Sequence, residues 1–72
     1  MAKRIPPTSR QKEILDFIRD YHATAGYMPT LREIMRAFRF GSTNAAVCHL
    51  DALEAKGYIE RDSQVARGMR LL

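Results

Sequence analysis

The sequence predicts a mainly α fold closed by a small β-hairpin. Three observations predict it. Apolar residues recur at helical spacing in three separate runs, within "TSRQKEILDFIRDYHATAG", "YMPTLREIMRAFRF" and "GSTNAAVCHLDALEAKG". Each run begins at a hydroxyl residue suited to cap a helix. After the third, Tyr58 to Arg61 and Ala66 to Leu72 read as two short strands flanking the turn "DSQV". A chain of 72 residues allows one small domain with a simple core. Residues 1–7 read as a basic N-terminal arm, with Lys3, Arg4 and an extending Pro6-Pro7 pair, and 8–72 as the folded domain.

In the first helix, Thr8 is the cap and Gln11, three residues on, completes a capping box. Ile14, Phe17, Ile18, Tyr21 and Ala25 fall on one face, with His22 beside them as a partly buried packing residue. Gly26 is the stop. In the second helix, Thr30-x-x-Glu33 is another capping box, and Leu31, Ile34, Met35 and Phe38 make the core stripe. Arg32, Arg36 and Arg39 share one flank. Arginines at this spacing are often merely solvated, but beside a helix that reads DNA they suit phosphate contacts.

The third helix carries the functional argument. Gly41 gives the turn, Ser42 or Thr43 the cap, and Gly57 the stop. Ala46, Leu50 and Leu53 form its core stripe. The opposite side holds Asn44, Ala45, Cys48, Asp51, Ala52 and Ala55, with Val47 on the flank. A solvated face would carry more Lys and Glu. Small residues let a helix approach a surface closely, an amide can pair with adenine through two hydrogen bonds, and methyl groups can meet the thymine methyl. The helix is therefore expected to enter a DNA major groove. Past it, Met69 and Leu71 share one strand face and Arg70 and Leu72 the other. Arg61, Arg67 and Arg70 make the hairpin basic, as suits a wing that covers the core and reaches DNA. Three helices and such a hairpin make a winged helix-turn-helix, with residues Phe40 to Ser42 linking helices 2 and 3.

Charge agrees with this. Twelve Lys and Arg against eight Asp and Glu give a net +4 and a pI near 9.7, which favours a polyanion partner. One cysteine excludes an intrachain disulfide and suits a reducing cytoplasm. The basic N-terminus has no apolar segment after it, so it is no signal peptide, and no apolar run reaches transmembrane length. Adjacent Cys48 and His49 project apart on a helix and no zinc spacing occurs. No glycine-rich phosphate loop is present, and Ser9, Ser42 and Ser63 lack a His/Asp partner set. No metal, no cofactor and no enzymatic activity are expected.

The segments "RQKEILDFI", "P-T-x-x-E-I", "HL-x-AL-x-x-KGYI" and "RG-x-R-L-L" occur in order over about residues 8–72. Together they resemble the N-terminal DNA-binding domain of the LexA family of SOS-response repressors. The resemblance implies a winged helix-turn-helix whose third helix reads an operator through Ser42, Asn44, Ala45, Val47 and Cys48, with Thr43 among them. It implies a wing, from Arg61 through Ser63 and Gln64 to Arg67, against the DNA backbone and minor groove. Arg32, Arg36, Arg39 and Lys56 would meet the backbone. Two departures stand out. The family usually has a glycine near Arg39, whereas this chain has Gly41, so a reshaped turn is expected. The family's C-terminal Ser/Lys self-cleaving peptidase domain, which also dimerises it, would follow Leu72.

The expected function is a sequence-specific, double-stranded DNA-binding transcriptional regulator of a bacterial or phage-encoded, cytoplasmic kind. It would be a LexA-like repressor domain without the peptidase, monomeric or pairing weakly or on DNA. The alternative is a winged-helix interaction module that binds a repressor, a polymerase or another regulatory protein. The two differ in whether Arg32, Arg36, Arg39, Arg61 and Arg67 lie on the side of Asn44.

Overall fold

The computed structural model describes residues 5–62, 64–65 and 67–72. The chain order is α1 (Ser9–Ala25), α2 (Leu31–Phe38), α3 (Thr43–Ala55), β1 (Ile59–Arg61) and β2 (Met69–Leu71). This is the winged helix-turn-helix that the sequence predicts. Lys3 and Arg4 of the expected arm, and Ala66 at the expected start of the second strand, lie outside the described residues.

Both capping boxes form. The Gln11 N–H donates to Thr8 Oγ1 at 3.3 Å, and the Thr8 N–H donates to Gln11 Oε1 at 3.1 Å. The Glu33 N–H donates to Thr30 Oγ1 at 3.2 Å, and the Thr30 N–H to Glu33 Oε1 at 2.8 Å. Each box satisfies two backbone donors that a helix start leaves open. Between the two candidate caps of α3 the structure selects Ser42, whose Oγ accepts the Ala45 N–H at 3.4 Å.

The helix ends explain the turns. Gly57 adopts φ 86°, its N–H donates to the Glu54 carbonyl at 3.0 Å, and the Tyr58 N–H donates to the Leu53 carbonyl at 3.0 Å. This pair of bonds is a Schellman stop, and the left-handed residue inside it favours glycine. The end of α2 uses the same pattern without one. Arg39 takes φ 56° and ψ 41°, while the Phe40 N–H donates to the Met35 carbonyl at 3.0 Å and the Arg39 N–H to the Arg36 carbonyl at 3.3 Å. Gly41, two residues on, has no positive φ. So a left-handed arginine ends α2, and the turn keeps its hydrogen bonds.

The core lies where the three helices meet the hairpin. Ile14 and Ile18 of α1, Ile34 of α2, Ala46, Leu50 and Leu53 of α3, and Ile59 of β1 are fully buried, with Leu15 and Met69 nearly so. Each large side chain among them contributes about 1.5–3 kcal/mol by leaving water. Along one side runs a row of ring contacts: Tyr27 to Tyr21 at 5.9 Å, Tyr21 to Phe17 at 5.8 Å, Phe17 to Phe38 at 5.5 Å, Phe38 to Phe40 at 5.9 Å, and Phe40 to the His49 imidazole at 5.6 Å. The row ties α1, α2 and the linker to α3. Two expectations change. His22 is exposed, as are Ala23 and Thr24, because the last turn of α1 runs beyond the core. Leu15, absent from the predicted face, is in the core.

The hairpin is antiparallel, pairing Ile59 with Leu71, Glu60 with Arg70 and Arg61 with Met69. The second strand is shorter than the sequence predicts and begins at Met69. The Asp62 N–H donates to the Gly68 carbonyl at 3.0 Å, closing the loop. A Cβ on Gly68 would stand 2.6 Å from the Asp62 carbonyl oxygen, so only glycine permits that approach.

Candidate nucleic-acid interface

Helix α3 divides into sides as its sequence predicts. With Ala46, Leu50 and Leu53 turned inward, the opposite side is left uncovered: Ser42, Thr43, Asn44 and Cys48 are exposed, and Ala45 and Val47 are half-buried. Its two flanks meet different neighbours. On one, the His49 ring stacks on Phe40 with 18° between planes. On the other, Asp51 and Glu54 meet the hairpin. The uncovered strip between them starts at the capped end of the helix, where free backbone N–H groups and the helix dipole favour an anion.

The linker that delivers this end is held by Arg10. Its guanidinium lies 4.9 Å from the Phe38 ring centroid and 5.2 Å from that of Phe40, donates to the Phe38 carbonyl at 3.3 Å, and pairs with Glu13 at 2.9 Å. Sequence reasoning missed this role. An arginine seven residues ahead of Phe17 gives no local sign that it caps an aromatic pair from another helix.

The ion pairs sort the basic residues. Arg10, Arg19, Arg61, Arg67 and Arg70 are each paired with a carboxylate. Among the described residues, Arg32, Arg36 and Arg39 have no ion pair, and all three are exposed. Lys12 is the other exposed cation of that kind. Arg32 and Arg36 stand on α2, and Arg39 in the turn that leads into α3, five residues before Asn44 in the sequence.

Three residues that the sequence assigns to DNA also have partners within the domain. Lys56 donates to Gln11 Oε1 at 2.7 Å and to the Pro6 carbonyl at 3.3 Å. It stands at the far end of α3 from Asn44, about 18 Å along the axis. There it satisfies the buried Gln11. Arg61 pairs with both Asp51 and Glu54, its Nε lying 3.3 Å from Glu54 Oε1, and so bridges two acids on the wing-side flank of α3. Arg67 turns toward α2, with Nη1 donating to Glu33 Oε1 and to the Met28 carbonyl, each at 2.8 Å, and its guanidinium 4.4 Å from the Tyr27 ring centroid. Gln64 is exposed, with its N–H donating to Asp62 Oδ1 at 3.0 Å. Ser63 lies outside the described residues. Asp51 and Glu54, one turn apart on one flank, are a signal for the Arg61 pair that the sequence did carry.

Glu33 is the most perturbed of these groups. Hydrogen bonds from the Tyr21 phenol, the Thr30 N–H and Arg67 hold its carboxyl down at about 2. The same Glu33 contact pushes the Tyr21 phenol and the Arg67 guanidinium up. Among the described residues, no cluster of His, Cys, Asp or Glu is placed to hold a metal, and no helix is long and apolar enough to cross a membrane.

Residues 5–68 match the family described as LexA DNA binding domain. The chain is 48% identical over 65 residues to the LexA repressor of Petrotoga mobilis, covering 90% of this chain and 31% of that protein. It is 51% identical over 65 residues to the LexA repressor of Actinobacillus pleuropneumoniae, again 90% of this chain and 31% of that protein. With the LexA repressor of Teredinibacter turnerae it shares 52% identity over 64 residues, 89% of this chain and 32% of that protein. The chain spans about a third of the length of the curated relatives it matches.

Proposed function

This chain belongs to the LexA DNA-binding domain family, and from that premise we propose that it is a sequence-specific, double-stranded DNA-binding module of a bacterial transcriptional repressor. The observation that carries the reading is the uncovered N-terminal side of α3, with Thr43, Asn44 and Cys48 exposed; it is supported by Arg32, Arg36 and Arg39 of α2 and the following turn, which are exposed and have no ion pair among the described residues.

Arg32, Arg36 and Arg39 set the domain on the phosphates and fix its register without reading sequence. α3 then enters the major groove, where the Asn44 amide offers one donor and one acceptor to adenine. Ala45 and Cys48 allow close approach, and Val47 gives apolar contact. Arg61 eases this approach by offsetting part of the negative charge of Asp51 and Glu54. One copy reads one half-site, and two copies meet on a two-fold operator. The action is binding and not catalysis, it needs no cofactor, and its place is the bacterial cytoplasm.

Selection of bound sequences from a random duplex pool defines the site. On that site Asn44→Ala is expected to lose about 1–3 kcal/mol and to relax preference at one or two base pairs. Arg36→Ala should weaken binding to selected and random duplex alike. Asn44 lies past the Ser42 cap and alanine favours helix, so circular dichroism should show both variants folded. An Asn44→Ala variant that is folded and binds its site unchanged would turn the reading toward a protein partner on the same face.

A further inference from the structure

We propose that Glu33 is a positioning residue for the wing: by gripping Arg67 it fixes where the hairpin loop lies beside a bound duplex. The proposal rests on the DNA-binding reading above. Between Asp62 and Gly68 the loop is closed by its own turns. The Asp62 N–H donates to the Gly68 carbonyl, the Val65 N–H to the Asp62 carbonyl, and the Gly68 N–H to the Val65 carbonyl. Among the described residues, the hydrogen bonds that join this loop to the rest of the domain are those of Arg67.

What Arg67 grips is itself fixed. Glu33 Oε2 accepts the Tyr21 hydroxyl at 2.6 Å, and Oε1 accepts the Thr30 N–H at 2.8 Å. Tyr27 packs edge-on against Tyr21 and forms the surface over which the guanidinium lies. The loop before α2 adds the Met28 carbonyl. Residues from α1, α2 and their connection thus converge on one wing side chain. Nη1 carries both hydrogen bonds, and the Arg67 side chain stays 40% exposed. A guanidinium has five N–H donors, so the gripped Arg67 keeps donors beyond the two that Nη1 uses. A long side chain ordered before binding loses less entropy on meeting a phosphate than one ordered during it. Glu33 therefore acts through Arg67 and need not touch DNA.

The test is a double-mutant cycle on a selected duplex, using Glu33→Gln, Arg67→Gln and the pair, read by affinity, salt dependence and hydroxyl-radical footprint. Glutamine can still serve the α2 capping box, so Glu33→Gln should stay folded. It is expected to weaken binding about 3- to 10-fold, the factor for one long side chain that must be ordered on binding. Protection should vanish at the wing edge of the footprint and remain over the half-site centre, with base preference unchanged. The double variant should bind no more weakly than Arg67→Gln alone. Thr30→Ala, which weakens the α2 cap and leaves the Arg67 pair, should lower stability and keep the wing-edge protection. If Glu33→Gln fails to fold, Tyr21→Phe takes its place in the cycle, with a smaller effect in the same direction. Wild-type binding with an unchanged Glu33→Gln footprint and affinity would overturn the proposal, as would losses that simply add in the double variant. Tighter binding with a steeper salt slope would also overturn it, since Glu33 would then compete with DNA for Arg67. A wild-type chain that selects no duplex would instead remove the DNA-binding reading on which the proposal rests.

Discussion

Arg39 holds the left-handed position that ends α2, and replacing it should separate stability from function. Its left-handed backbone, φ 56° and ψ 41°, brings Cβ close to its own carbonyl oxygen, which costs a non-glycine residue about 1–2 kcal/mol. Arg39→Gly removes that strain but adds freedom to the unfolded chain, a loss of roughly 0.5–1 kcal/mol. The charge change is controlled by Arg39→Ala, which deletes the same guanidinium and keeps the Cβ. The glycine variant should therefore be more stable than the alanine variant by about 0.5–1 kcal/mol, or some 2–8 °C in Tm for a domain of this size. Gly41 supplies the converse. It has no positive φ, and a Cβ there would meet nothing within 4 Å, so Gly41→Ala should be neutral or stabilising. Thermal unfolding by circular dichroism measures all three. Both Arg39 variants should also lose one phosphate contact and bind random duplex more weakly than wild type. If Arg39→Gly is no more stable than Arg39→Ala, the turn carries no left-handed strain and the reasoning fails.

Two further results are expected. The plot of log affinity against log salt should have a slope of about −3 to −4, because each neutralised phosphate contributes about −0.9 and Arg32, Arg36 and Arg39, with Arg67 of the wing, are the cations proposed for it. A flat titration would favour the protein-interaction reading. Glu33 makes stability depend on acid: its carboxyl is held at about 2 against an ordinary 4.5, so its contribution is complete above 4.5 and is lost as pH falls from there through 2. Thermal unfolding from pH 6 to pH 2 should show the gap between wild type and Glu33→Gln closing over that window, and a gap independent of pH would contradict the network's charge.

What could be read from the sequence was local. Thr8 with Gln11, Thr30 with Glu33, and Ser42 ahead of α3 announce their helices because a cap's hydrogen bonds close within three residues. The stripe of Ala46, Leu50 and Leu53 announces its buried side because helical period alone puts those residues together. The uncovered face with Asn44 follows from the same arithmetic. The charges were another matter. Composition fixes a surplus of +4 but does not say which cations are left over. That was decided by contacts across the fold: Lys56 with Gln11 across 45 residues, Arg67 with Glu33 across 34, and Arg61 with two acids on the preceding helix. Such pairs leave no periodic trace, because the attraction between two side chains depends on their separation in space and not along the chain. The sequence by itself determined which helix presents a bare face. Only the tertiary structure, by pairing Arg61 and Arg67 with acids of other elements while Arg32, Arg36 and Arg39 have no ion pair among the described residues, decided which of the positive charges are left over.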